Sequence, residues 1–105
     1  MRKEIYNDEN PIGENLTLYR KAWKVEKSEN FPYGIEFAFQ VVYERESITI
    51  QVVRIDNQMH DGKPGSHIHL LQREKVIWED IRLYEAESRI IEIGESIMKN
   101  IIKRI

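Results

Sequence analysis

Residues 35 to 43 alternate without a break. Ile35, Phe37, Phe39, Val41 and Tyr43 fall on one side of an extended chain, and Glu36, Ala38, Gln40 and Val42 fall on the other. A period of two built from β-branched and aromatic residues predicts a strand that buries one face. The charged turn from Glu44 to Ser47 leads into a second β-branched run, residues 48 to 55, so the two segments predict an antiparallel hairpin. From about Glu85 the period changes. Ile90, Ile93, Ile97, Ile101 and Ile105 recur every three or four residues, Ile91, Met98 and Ile102 widen the stripe, and Glu92, Glu95, Lys99, Lys103 and Arg104 fill the opposite side. That spacing predicts an amphipathic helix over about 86–104.

The remaining segments fit around this pair of signals. Leu16 to Lys27 alternates in the manner of a strand, and "HIHLLQRE", from His67, follows a loop whose "DGKPGS" is strong turn chemistry. "KVIWEDIRLY" offers one more short strand. The polar stretch "NDENPIGEN" carries Asn, Asp, Pro and Gly, so residues 1–15 are expected to form a loose arm. The expectation is a single α+β domain over 1–105, an antiparallel β-meander sheet of three to five strands packed against one long C-terminal helix. Gly94 interrupts the helix interior, where it permits close packing on the sheet or is merely tolerated. A single helix leaves the other face of such a sheet uncovered. A homodimer is expected through that face, with Val42, Val53, Trp23 and Trp78 the candidates for burial, or through the helix, whose isoleucine stripe is core or dimer seam.

Composition removes several function classes. A formal charge of −2 gives no footprint for a dedicated double-stranded DNA binder, although it leaves room for a local RNA-binding patch. Without cysteine there is no thiolate nucleophile, disulfide or thiolate zinc finger. No segment approaches the roughly 20 apolar residues of a spanning helix and no signal-peptide run is visible, so the expected location is cytoplasmic, with no membrane partner.

All three histidines fall within ten positions, at His60, His67 and His69. On a strand, residues i and i+2 point the same way, so His67 and His69 present two imidazoles on one face. That spacing suits two nitrogens converging on a transition metal, or an acid and a base flanking one reacting group. The plainer reading, a half-exposed surface pair, stands beside both. Asp56 and His60 come from the preceding loop region, and pairing of strands 48–55 and 67–73 would bring Arg54 close to one of the two histidines. "DGKPGS" does not have the spacing of a phosphate-binding loop and reads as turn chemistry. The aromatic run Tyr33, Phe37, Phe39, Tyr43 has the residues to stack RNA bases, but its period of two favours core.

Arg54, Ile55, Asp56 and Asn57, then His60, then His67 and His69, followed by the C-terminal amphipathic helix, form a pattern that resembles the small TumE-like toxin proteins of bacterial and archaeal toxin–antitoxin pairs. The resemblance covers roughly residues 35–105, with Ile55 standing where an aromatic residue is more usual. It implies a toxin that acts on RNA and is held in check by a helix-turn-helix antitoxin. The expected chemistry is that of a metal-independent ribonuclease. One of His67 and His69 would take the 2′-hydroxyl proton, the other or His60 would protonate the leaving 5′-oxygen, Arg54 would stabilise the phosphorane-like transition state, and Asp56 would orient an imidazole. Two alternatives remain open: a site for zinc or another divalent metal made by His60, His67, His69 and Asp56, and a non-enzymatic interaction domain.

Overall fold

The computed structural model describes residues 2–60, 62–71 and 74–103. Six strands, β1 (Lys3–Gly13), β2 (Leu16–Lys24), β3 (Ile35–Arg45), β4 (Ile48–Asp56), β5 (His67–Leu70) and β6 (Lys75–Trp78), precede one helix, α1 (Leu83–Lys103). Every strand pairs antiparallel with its sequence neighbour, giving a meander in the order β1 to β6.

The alternation of β3 sets the layering. Phe37, Phe39 and Val41 are buried, and the register places Leu18 and Val53 on either side of Val41, with Ile55 beside Phe39 and Ile68 beside Ile55. These side chains make the core under α1, which lays Ala86, Ile90, Gly94 and Met98 along the sheet. Its start at Leu83, three residues before the expected one, has a local cause. The Glu85 carboxylate accepts a hydrogen bond from the Arg82 backbone N–H at 3.2 Å, one half of a capping box.

At Gly94 the helix backbone comes close to the sheet. A Cβ built there would stand 3.3 Å from Val41 Cγ1. Gly94→Leu is therefore expected to cost about 1–3 kcal/mol by overpacking, read as a lower urea midpoint at unchanged slope; a variant as stable as the parent would mean that the helix is free to lift.

The structure differs from the sequence-based expectation in four respects. The sheet has six strands rather than three to five. Residues 3–13 are not a loose arm but the edge strand β1, with register shifts between Glu4 and Tyr6 and between Pro11 and Gly13. The turn-forming residues misled because an edge strand tolerates Pro and needs few apolar side chains; here only Tyr6 and Ile12 pack on the core. The strand from His67 ends at Leu70, with Leu71 already in a turn; Gln72 and Arg73 lie outside the described residues, as do Arg104, Ile105 and the side chains of Ile102 and Lys103.

The fourth difference matters for the site. Val53 does not belong to the uncovered face: it is fully buried under the helix. Val41 pairs with Val53 and Val42 with Gln51, so Val52 is an extra residue, a β-bulge, and both valines turn into the core. Because the side-chain period of a strand is two, one inserted residue reverses the facing of everything after it. Arg54 and Asp56 are thereby carried to the face opposite the helix. Val42 and the two tryptophans do lie on that face by register. Trp23 stacks under the Arg2 guanidinium, and Trp78 is 43% exposed.

Candidate functional site

On the helix-free face, the pairing of β4 with β5 sets Arg54 opposite His69 and Asp56 opposite His67. All four side chains share that face because cross-strand partners point the same way. The third histidine arrives from the connection between the two strands. Asn57 ties the start of this connection to β3: its side chain accepts from the Phe37 N–H at 2.8 Å and donates to the Ile35 carbonyl at 2.7 Å. At its far end Ser66 accepts from the Ile81 N–H and donates to the Glu79 carbonyl, fixing the approach to β5. Between these anchors, His60 and Lys63 exchange two backbone hydrogen bonds around Gly62, whose φ of +74° suits a residue without a Cβ. The connection folds back over β5, and the His60 ring comes within 5.2 Å of the centroids of both His67 and His69.

Asp56 is the hub of the cluster. Its side chain is almost wholly buried, and its two oxygens have divided roles. Oδ1 accepts from the Gln58 backbone N–H at 3.0 Å and faces His67 Nε2 at 3.1 Å. Oδ2 accepts from Arg54 Nε at 2.7 Å and lies 3.4 Å from His69 Nε2. Gln58 reaches further, its side-chain oxygen accepting from Arg54 Nη2 at 2.8 Å while its amide donates to Glu36 Oε2 at 2.8 Å. Glu36 in turn pairs with Arg2 at 3.2 Å. A polar chain thus runs across the open face into Asp56 and holds both the carboxylate and the Arg54 guanidinium in place.

The three imidazoles are not equivalent. His67, at 1% exposure, sits behind Trp78, 4.8 Å between ring centroids, and its Nδ1 lies 3.2 Å from the Gly65 carbonyl. His69 is more open. Burial pushes its proton affinity below the ordinary value near 6.5, neighbouring His67, His60 and Arg54 add to that, and the Asp56 charge opposes it. The neutral, lone-pair-bearing ring is therefore favoured near pH 7.

That depression carries a sign for stability. Above about pH 6.5 His69 is neutral both folded and unfolded, so its contribution to stability is complete. As the pH falls below that value and through the lower folded one, the unfolded chain takes up the proton first and stability is lost. Melting temperatures between pH 7 and pH 5 should fall more steeply for the parent than for His69→Gln; equal slopes would show that His69 contributes nothing to the linkage.

All five residues singled out in the sequence, Arg54, Asp56, His60, His67 and His69, meet in this cluster. Sequence reasoning missed Gln58, Glu36, Gly65 and the place of Trp78 against the rings. Gln58 had one available signal, its position two residues after Asp56, where a backbone N–H readily meets an Asp side chain. Among the described residues no helix is long and apolar enough to cross a membrane. Comparison of the chain with protein-family models, with curated proteins and with solved structures finds no match in any of the three.

Proposed function

We propose that this chain is a toxin-like protein that cleaves RNA at the cluster of Arg54, Asp56, His60, His67 and His69. The observation that supports the reading is the convergence itself: one buried carboxylate, two imidazoles and a guanidinium within 3.4 Å of it, and a third imidazole folded over them. In this reading the ribose 2′-oxygen attacks phosphorus. Its proton passes to His69, the P–O5′ bond breaks, and His60 protonates the departing 5′-oxygen, leaving a 2′,3′-cyclic phosphate and a 5′-hydroxyl. Arg54 faces the charge that builds on the phosphoryl oxygens, while Asp56 and the sealed His67 position the other rings. The RNA class of substrate rests on the resemblance to TumE-like toxins.

The test is incubation of the purified chain with a defined RNA pool, reading end chemistry, together with growth after induced expression. Cyclic phosphate ends and growth arrest are expected; intact RNA and normal growth would remove the reading. By the same resemblance the partner is a helix-turn-helix antitoxin, whose co-expression should restore growth. Self-association is proposed through the half-covered isoleucine flank of α1, Ile93, Ile97 and Ile101, because the opposite face has to admit substrate. Sedimentation at tens of micromolar is the check: one monomeric species there would dismiss the dimer.

A further inference from the structure

We infer that His60, His67, His69 and Asp56 form a binding site for one divalent transition-metal ion of the zinc class. The inference deepens the proposed function by naming the ion of that centre, and it rests on that reading for the reaction alone.

The first argument is spacing. One ring nitrogen from each histidine lies within 4.8 Å of the other two. A tetrahedral zinc site with bonds of about 2.0–2.1 Å sets its ligand atoms about 3.4 Å apart. Asp56 stands at that length from two of the rings, with Oδ1 3.1 Å from His67 Nε2 and Oδ2 3.4 Å from His69 Nε2, so one of its oxygens is placed to supply a fourth ligand. The widest nitrogen separation, no more than 4.8 Å, closes to that length with a small side-chain rotation.

The second argument is the direction of lone pairs. His67 Nδ1 faces the Gly65 carbonyl, and a carbonyl only accepts, so the ring hydrogen sits on Nδ1. Its Nε2 faces Asp56 Oδ1, 3.1 Å away, so these two atoms share either a proton or, in the loaded site, one metal ion. A backbone carbonyl on the far nitrogen is also the usual way a protein orients a metal-bound imidazole. Arg54 and Gln58 anchor Asp56 in the same supporting manner.

Donor chemistry and access then narrow the ion. Three imidazoles and one carboxylate suit zinc, cobalt, nickel or copper rather than magnesium or calcium, which prefer all-oxygen shells. Three imidazoles and the carboxylate complete the tetrahedral shell, so water enters only as a fifth ligand, from the open side where His69 and His60 lie. Water bound to such an ion has a pKa near 7. With both rings held as ligands, the bound water would, as hydroxide, take the 2′-hydroxyl proton in place of His69 and return it to the departing 5′-oxygen in place of His60. The added charge beside Arg54 makes the centre net positive, the sign a phosphodiester requires.

The experiment uses untagged full-length protein stripped with chelator. Zinc affinity is measured by competition with a chromophoric chelator, and cobalt is added as a visible-absorption probe. One ion per chain is expected, with a dissociation constant at or below the micromolar range and a tetrahedral cobalt spectrum. His60→Ala and His69→Ala should each weaken zinc binding at least 10-fold, and Asp56→Asn by about 10–100-fold. His60→Ala leaves the sheet untouched, and melts of each variant confirm folding. Absence of binding at 100 μM zinc, or binding unaltered in the folded His60→Ala and His69→Ala variants, overturns the site. RNA cleavage is followed on the same samples. Zinc bound without cleavage of any RNA removes the ribonuclease reading and leaves the metal site; cleavage by protein that takes up no ion does the reverse.

Discussion

Asp56→Ala should lower stability by about 3–5 kcal/mol, the range found when one partner of a buried charged pair is deleted. The carboxylate is 3% exposed and receives the Arg54 guanidinium and the Gln58 backbone N–H while facing two imidazoles. Its removal strands His67, which is 1% exposed and packed beneath Trp78. For a domain of this size each kcal/mol is worth about 4–8 °C, so the melting temperature should drop by about 12 °C or more. Asp56→Asn keeps the shape and one acceptor oxygen, and should lose less. A second arm separates the pair from the site as a whole: Asp56→Ala combined with His67→Ala should cost clearly less than the sum of the two single changes, because they remove the same interaction. Strict additivity, or a melting point within about 2 °C of the parent for Asp56→Ala, would show that the carboxylate is not the hub.

The second large effect falls on activity. His67→Ala with His69→Ala should reduce RNA cleavage by about 10²- to 10⁴-fold, the range associated with loss of general acid–base groups. The single variants divide the effect by role. His69→Ala removes the more accessible ring and should lose most of the rate with little change in melting temperature. His67→Ala should lose rate and stability together, since it opens a cavity behind Trp78 and leaves Asp56 short of a partner. RNA end analysis supplies the rates and thermal melts supply the folding control. A folded double variant with full activity would make the two rings an ordinary strand pair, and the catalytic reading would fail.

Both results depend on a feature that local pattern does not display. The alternation Arg54, Ile55, Asp56 is plain in the sequence, but which side each residue takes is set upstream by the bulge at Val52. In a strand without that extra residue, Arg54 and Asp56 would point under the helix, into the row now held by Val53 and Ile55, while His67 and His69 stayed on the other face. The site therefore exists because two adjacent valines both found room in the core.

The sequence by itself determined the elements whose signals repeat. The period of two in residues 35 to 43, the β-branched run after it and the isoleucine spacing after Glu85 each bury an apolar face, and no other local conformation aligns those faces. The i and i+2 spacing likewise settled that His67 and His69 share a side. Tertiary structure decided what no repeating signal encodes. It made β1 a strand, because an edge needs backbone pairing and only two side chains on the core. It set the phase of β4 through a bulge, because one unpaired residue leaves no mark on composition. It brought His60 onto the pair, because the direction of a ten-residue connection depends on anchors at Asn57 and Ser66 that meet partners 13 or more residues away in the chain.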